Sequence, residues 1–177
     1  MDAYRSGTII RAATPADAPA IAGVHVAAWQ AAYSGLLPAA YLNSLRAEQR
    51  QNMWEQILTQ TIAGVAVCVP EGQVQGFVSY GPARGEDEQM LVAGEIYAIY
   101  LLPGQWGKGY GRQLMDHATA AMWANGYRTV ILWVLRANTR AIRFYRQYGF
   151  LEDGGQKQER LGDGTLMDEI RYRLDLE

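Results

Sequence analysis

Four glycines within eight positions are the feature that most limits how this 177-residue chain can fold. They are Gly104, Gly107, Gly109 and Gly111, in the stretch LLPGQWGKGYGRQLM. An apolar strand pattern ends just before them, and apolar residues recur at helical spacing just after them. Each glycine in ordered backbone costs roughly 0.5–1 kcal/mol relative to alanine. Such a cluster between a strand and a helix therefore indicates that something approaches the backbone closely there.

The remaining chain alternates between strand-like and helix-like patterns. Strands are predicted in GTIIRAAT, GVAVCVP, QVQGFVSYG, GEIYAIYLL, YRTVILWVL and two segments of QKQERLGDGTLMDEIRYRLDL. Helices are predicted after Thr14, over 38–60, after the glycine cluster, and in NTRAIRFYRQY with Gly149 as its C-cap. The order β-α-α-β-β-β-α-β-α-β-β predicts a single α/β domain over residues 1–177, built on a mixed sheet.

Charge and cysteine content narrow the class of protein. The formal net charge of −2 argues against nucleic acid as a partner, because that interface is usually strongly basic. One cysteine, Cys68, allows no intramolecular disulfide and suits a reducing compartment. With His25 and His117 it does not make a metal site, so no metal is predicted. The first residues carry no apolar run of membrane-spanning or signal-peptide length, so we expect a cytoplasmic protein that does not use a membrane.

The order strand, glycine loop, helix suits anion binding, because free N–H groups and the helix dipole meet at the helix start. A Walker loop requires Ser or Thr directly after the lysine, whereas Gly109 follows Lys108 here. A dinucleotide-binding loop requires a G-x-G-x-x-G spacing and an acid at the end of the next strand. That strand ends LWVLRAN, without an acid. The sequence therefore argues against a Walker loop and against a dinucleotide-binding loop. Without a dinucleotide-binding loop, a nucleotide-dependent oxidoreductase is also disfavoured.

The stretch resembles the acetyl-coenzyme A loop of the GCN5-related N-acetyltransferase (GNAT) family, whose pattern is Gln/Arg-x-x-Gly-x-Gly/Ala, usually after a proline. The matching residues, after Pro103, are Trp106, Gly107, Lys108, Gly109, Tyr110 and Gly111. Trp106 stands where the family usually has Gln or Arg. The resemblance also covers the element order, the helix NTRAIRFYRQYGF and the final hairpin. It implies the acyl-CoA N-acyltransferase fold, with a mostly antiparallel sheet of about seven strands and four helices.

The same resemblance implies acetyl-CoA as the acyl donor, bound largely through backbone. Loop amides would meet the pyrophosphate, Lys108 and Arg112 would add charge, and Asn138 would bind the pantetheine arm or simply cap its helix. The fourth strand would pair with pantetheine amides and hold the thioester carbonyl. The implied donor-binding residues are Ile99, Tyr100, Leu101, Trp106, Gly107, Lys108, Gly109, Tyr110, Gly111, Arg112 and Asn138.

Two residues are predicted to move protons. By resemblance, Tyr145 would protonate the leaving thiolate, and its alternative role is a core aromatic beside Phe144. Glu95 would take the proton of the amine directly or through water, and its alternative is a solvated strand-end charge. Some relatives carry a glutamate on the fifth strand, where this chain has Trp133, so that route is absent.

The acceptor side is predicted from the first helices and the fourth strand. His25, Trp29 and Tyr33 share one helix face and form either a pocket wall or an amphipathic core stripe. Trp29, Tyr33 and Tyr97 are the predicted substrate-binding residues. The predicted function is acetyl transfer from acetyl-CoA to a primary amine of a small molecule or peptide. The alternative is a non-catalytic acyl-CoA sensor or regulatory module, and the sequence leaves open both the identity of the amine and a homodimer.

Overall fold

A computed structural model of the chain describes residues 9–60, 62–89 and 92–177. The strands are β1 (Ile9–Ala12), β2 (Gly64–Val69), β3 (Gly76–Pro82), β4 (Ala93–Leu101), β5 (Thr129–Leu135), β6 (Leu151–Arg160) and β7 (Leu166–Asp175). The helices are α1 (Ala18–Ala32), α2 (Ala39–Ser44), α3 (Ala47–Thr59), α4 (Tyr110–Ala124) and α5 (Thr139–Tyr148). The predicted order of strands is confirmed, and within the described residues no helix is long and apolar enough to span a membrane.

All seven strands join one sheet in the order β1-β2-β3-β4-β5-β7-β6. Every neighbouring pair is antiparallel except β4 and β5, which run parallel. The hairpin predicted at Glu71 and Gly72 joins β2 to β3 through a short 3-10 turn. The prediction of a mixed, mostly antiparallel sheet is therefore confirmed.

The parallel pair β4–β5 separates partway along its length. Its register runs from Ala93 opposite Thr129 only as far as Ile96 opposite Leu132. On the other edge of β4, Ser79 faces Ala98 and Tyr80 faces Ile96, so Tyr97 is an extra, bulged residue. A bulge bends its strand and increases the local twist. Beyond it β4 and β5 continue without pairing to each other, which opens a gap in the middle of the sheet.

Helices cover both faces of the sheet, because side chains alternate along each strand. The face packed by α4 and α5, called the α4 face, buries Leu114, Met115 and Met122 against Val130 and Leu132. The opposite face, called the α1 face, is packed by α1 and α3. Its buried residues include Ile21, Val24, Trp54, Val67 and Phe77. Cys68 is fully buried on the α4 face, where it packs as a small apolar core residue.

The helix predicted over 38–60 is two helices, so residues 9–60, 62–89 and 92–177 contain five α-helices rather than the expected four. Leu45 and Arg46 have extended backbone, with ψ angles of 135° and 132°, and separate α2 from α3. Ser44 and Arg46 donate from their side chains to carbonyls of the preceding turn. The two halves pack in different places, Leu42 and Leu45 in one cluster and Trp54 in another. The apolar period continues across the break, which is why the sequence pattern conceals it.

Candidate active site

A cleft of about 400 Å³ lies at the gap between β4 and β5. Its lining comes from both faces of the sheet. Ile99 of β4 and Val134 of β5 pack with the α4-face core, whereas Tyr100 belongs to the core of the α1 face. The cleft therefore passes through the sheet and connects a site beside α4 and α5 with a site beside α1.

The glycine loop forms the α4-face end of the cleft. Gly107 and Gly109 have φ angles of +75° and +87°, a left-handed conformation that other residues adopt only with strain. A Cβ at either position would meet no atom within 4 Å, so the space beside this backbone is open. Gly109 is the N-cap of α4 and supplies no side-chain cap, which leaves the N–H groups of the first turn for an anion. The loop thus fits a phosphate group.

Trp106, the unusual first residue of the loop motif, ties the loop to neighbouring elements. Its Nε1 donates a hydrogen bond to the carbonyl of Leu101 at 3.0 Å, at the end of β4. The guanidinium carbon of Arg140, from α5, lies 3.1 Å from the centroid of the indole ring. Both residues line the cleft. Arg140 was not among the predicted site residues, because a surface arginine two positions after a helix cap carries no distinctive pattern.

The loop lysine and the first helical tyrosine stand outside the cleft lining. Lys108 Nζ donates to Gln105 Oε1 at 3.1 Å, and Tyr110 packs against the α4-face core. Arg112 does line the cleft, with its guanidinium carbon 5.4 Å from the ring centroid of Tyr148. Of the loop's predicted basic residues, only Arg112 therefore lies directly on the cavity.

Tyr145 lies on α5 and lines the cleft beside the gap. Its ring centroid is 5.4 Å from that of Phe144 and 6.1 Å from that of Phe150, so it also packs as a core aromatic. Burial raises the pKa of its phenol above the usual value, and the nearby Tyr33 raises it further. The hydroxyl is therefore protonated at neutral pH and can act as a donor in the cleft.

Asn138 begins α5 and serves as its cap. Its Oδ1 accepts a hydrogen bond from the backbone N–H of Ala141 at 3.2 Å. The residue is buried and also lines the cleft. The capping role is therefore present, and it places the Asn138 side chain beside the strand residues Ile99, Tyr100 and Leu101, which line the same cavity.

Glu95 is not the solvated strand-end charge that one reading of the sequence predicts. It is 3% exposed, because its position opposite Ile131 places it within the central strands. Arg84 binds both of its oxygens, with Nη2–Oε1 at 2.8 Å and Nε–Oε2 at 3.2 Å, and the Arg84 backbone N–H donates to Oε2 at 3.1 Å. Glu95 does not line the cleft. The carboxylate is thus anchored by an ion pair behind the cavity.

Tyr97, the bulged residue of β4, links that ion pair to the cleft. Its ring lies 4.0 Å from the guanidinium carbon of Arg84, and its hydroxyl donates to the carbonyl of Pro82 at 2.5 Å. Burial raises the pKa of Tyr97 to about 12. Since Tyr97 lines the cavity, the bulge presents an aromatic side chain there.

Two tyrosines meet at the α1-face end of the cleft. The hydroxyls of Tyr33 and Tyr100 are 3.3 Å apart, and both residues line the cavity. Trp29 packs behind Tyr33, with ring centroids 4.8 Å apart, and is outside the lining. Ala28 and Ala32 contribute only methyl groups from α1 and leave room beside the rings. Of the two predicted alternatives for this helix face, Tyr33 forms part of the pocket wall, whereas Trp29 packs behind it as part of the apolar core.

His25 belongs to the core of the α1 face. Its Nδ1 accepts a hydrogen bond from Trp54 Nε1 at 3.1 Å, and its ring stacks on Tyr100 with centroids 5.6 Å apart. Burial, together with the positive charge of Arg50, lowers the pKa of His25 to about 3. A neutral, hydrogen-bonded imidazole supports the ring of Tyr100 from behind.

Trp133 forms the β5 side of the cavity just where pairing with β4 has ended. Its Nε1 donates to Asp87 Oδ2 at 3.1 Å. The other carboxylate oxygen of Asp87 accepts from Arg171, which also donates from Nε to Asp153 at 2.9 Å. Lys157 Nζ lies 4.5 Å from the indole centroid. From the sequence Trp133 stands out only as a position without a carboxylate, since its partners lie far away in the chain.

Comparisons with known proteins agree with this architecture. The acetyltransferase (GNAT) family matches residues 28–150 of the chain. The uncharacterized N-acetyltransferase YuaI of Bacillus subtilis is 36% identical over 140 residues, which cover 78% of each protein.

Solved structures show the same fold. The PaiA N-acetyltransferase of Thermoplasma acidophilum, in complex with coenzyme A, has a TM-score of 0.77 at 18% identity and covers 96% of this chain and 99% of its own. YncA of Salmonella typhimurium, with acetyl-CoA, has a TM-score of 0.73 at 23% identity, with coverages of 97% and 95%. The chain therefore belongs to the GNAT family and is an acetyl-CoA-dependent N-acetyltransferase.

Proposed function

We propose that this enzyme acetylates a primary amine of a small molecule or peptide by direct attack of the amine on the thioester of acetyl-CoA. One observation carries the proposal. The cleft connects a glycine loop and a buried phenol at its α4-face end to an aromatic pocket at its α1-face end, through the gap between β4 and β5. Donor and acceptor can therefore approach each other from opposite faces of the sheet.

Acetyl-CoA would be held mainly by backbone groups at the α4-face end. The left-handed glycines Gly107 and Gly109 and the first turn of α4 suit the pyrophosphate. Past Ile96, β4 has an edge without a β5 partner, which suits the amides of the pantetheine arm. Arg112 and Arg140 line the same end, and neither is ion-paired with a carboxylate within the described part of the chain. Both charges are thus available for phosphate oxygens.

In the reaction the amine nitrogen forms a bond to the carbonyl carbon, and the carbon–sulfur bond breaks. Tyr145 would give its hydroxyl proton to the leaving thiolate, since its raised pKa keeps that proton in place until the sulfur becomes basic. A backbone N–H of Ile99, Tyr100 or Leu101 would hold the carbonyl oxygen as charge develops there. Residues of this chain would thus protonate the leaving thiolate and stabilise the charge on the carbonyl oxygen.

The proton released by the amine needs a separate acceptor. Glu95 is proposed for this step, and its position behind the cavity requires that the proton travel through water. Both Glu95 oxygens already accept from Arg84, so the ion pair must share the carboxylate with that water. The bulged Tyr97, which lies between the cavity and Arg84, marks the proposed route.

Calorimetry followed by an acceptor screen tests the proposed function. Acetyl-CoA should bind and NAD should not, and thiol release should follow on adding pools of amino acids, polyamines, aminoglycosides, arylalkylamines and peptide N-termini. Binding of acetyl-CoA without thiol release in any pool would favour the non-catalytic sensor. Binding of NAD in preference to acetyl-CoA would contradict the assignment of the glycine loop.

A further inference from the structure

We propose that the acceptor is a monoamine with an aromatic or apolar body, rather than a polyamine or another polycation. The inference rests on the proposed function and concerns the α1-face end of the same cleft. It follows from two observations on the described residues. The buried carboxylates of this region are already ion-paired, and the cavity itself is lined by aromatic rings and alanines.

Two of these carboxylates form ion pairs with arginine. Asp87, 7% exposed, is bound by Arg171 and by the Trp133 indole. Glu95 is bound through both oxygens by Arg84. At Glu95 a second ammonium on the acceptor would have to displace a guanidinium that makes two hydrogen bonds to the carboxylate, and this bidentate form of ion pair is the more strongly held one. At Asp87 it would have to displace Arg171 from Oδ1, while the Trp133 indole holds Oδ2.

The third carboxylate is paired with a lysine beside the cavity. Lys157 Nζ lies 3.5 Å from Glu169 Oε2, and the side chain of Glu169 is 13% exposed. The same ammonium lies 4.5 Å from the ring of Trp133, which lines the cleft. Burial raises the pKa of Glu169, and neighbouring Glu159 raises it while Lys157 opposes the shift. Within the described residues Glu169 Oε2 makes no hydrogen bond, so the ion pair with Lys157 is what balances its charge. Lys157 thus lies where a second ammonium of a substrate would find both a carboxylate and an aromatic face.

The exposed Glu159 does not replace these groups. Its side chain faces solvent, where water and salt screen its charge. The rings that do line the α1-face end are Tyr33, Tyr97, Tyr100 and Trp133. Beside them, Ala28 and Ala32 leave space for an apolar body. A ring or alkyl chain would be buried favourably there.

Monoamines and polyamines differ in how much positive charge they would leave buried in the cavity. A monoamine must give up its single positive charge to react, so no ammonium stays behind in the cavity. A polyamine would carry a second ammonium into a cavity whose described lining contains no acidic residue, and burying an unpaired charge is strongly unfavourable. The charge pattern of the α1-face end therefore selects against polycations.

The first experiment compares 2-phenylethylamine with spermidine and putrescine at saturating acetyl-CoA, by thiol release. We expect kcat/KM for 2-phenylethylamine to exceed that for either polycation at least tenfold. Equal or reversed preference would overturn this inference while leaving the proposed function intact. Absence of thiol release with all three amines and with every pool of the acceptor screen would overturn both.

The second experiment removes the lysine that forms an ion pair with Glu169. Lys157→Met should raise the ratio of kcat/KM for spermidine to that for 2-phenylethylamine at least tenfold, because it frees a carboxylate beside Trp133. Arg160→Met is the matched control, since Arg160 is a basic residue on the same strand and, among the described residues, donates only to the Gly164 carbonyl. An unchanged ratio in a folded Lys157→Met protein, or an equal rise in Arg160→Met, would overturn the inference. Lys157→Gln repeats the test with a polar side chain if the methionine variant does not fold.

Discussion

Gly109 offers the sharpest test of the proposed acetyl-CoA site, because its backbone conformation predicts the cost of substituting it. Its φ of +87° lies in the left-handed region, which costs a residue with a Cβ roughly 1–2 kcal/mol. The added Cβ in Gly109→Ala would contact no atom within 4 Å, so this strain is the whole direct effect. Gly109→Val adds a β-branched side chain, which is still less compatible with positive φ.

The strain has two ways to appear. If the loop keeps its shape, the strain lowers stability, and at roughly 2–4 °C per kcal/mol for a chain of this size the melting temperature falls by about 2–8 °C. If the loop relaxes, the amides of the first turn of α4 turn away and the affinity for acetyl-CoA falls. For Gly109→Val we expect at least a tenfold weaker affinity, about 1.4 kcal/mol.

The matched control is Gly104→Ala in the same loop. Gly104 also has no atom within 4 Å of an added Cβ, but its φ is not positive. It should therefore melt and bind acetyl-CoA like the wild type. Titration calorimetry with acetyl-CoA and thermal melts of all three variants give the comparison. A folded Gly109→Val with wild-type affinity, or a Gly104→Ala that loses as much, would refute the assignment of this backbone to phosphate binding.

Three further changes address proton transfer and the core. Tyr145→Phe keeps the ring packed and removes only the hydroxyl, so kcat should fall roughly 10²–10⁴-fold with acetyl-CoA affinity unchanged; a preserved kcat across pH would assign the proton to another donor. Glu95→Gln should reduce kcat/KM most near neutral pH, with a loss that shrinks as the amine becomes neutral at higher pH. A pH-independent loss would instead mean that Glu95 only anchors Arg84. The pKa of His25 is lowered from 6.5 to about 3 on folding, so the unfolded chain binds one more proton between these values. Stability should therefore be complete above pH 6.5 and fall below it by up to about 1.4 kcal/mol per pH unit, and His25→Asn should remove this slope in urea unfolding at each pH.

Features that depend on neighbouring residues could be predicted from the sequence. The glycine loop is readable because strand end, left-handed glycines and helix start follow one another directly. The C-cap Gly149 and the cap Asn138 are local in the same sense. The break at Leu45 was missed because the apolar period runs through it, and the two halves separate only through packing in different clusters.

The charged partners near the α1-face end of the cleft are distant from one another in the chain. Arg84 reaches Glu95 across the β3–β4 connection, 11 positions away. Asp87 meets Trp133 at a separation of 46 positions and Arg171 at 84. No periodicity links such residues, since they come together only when β5 and β7 align beside β4. The charge state of the pocket could therefore not be predicted. Of the aromatic residues that line it, Tyr33, Tyr97 and Tyr100 are among the predicted site residues and Trp133 is not.

Because β4 and β5 separate early, the sheet consists of two blocks of strands joined by a short ladder. Four residue pairs join a block of β1–β4 to a block of β5–β7, whereas every other ladder next to this seam is longer. An acetyl-CoA molecule lying along the free edge of β4 would contact both blocks and add to the interactions between them. At a concentration a hundredfold above its dissociation constant, such a ligand adds about 2.7 kcal/mol to the free energy of unfolding. The free energy of unfolding would then depend on the concentration of acetyl-CoA, and the two blocks of the sheet would separate least readily with the donor bound.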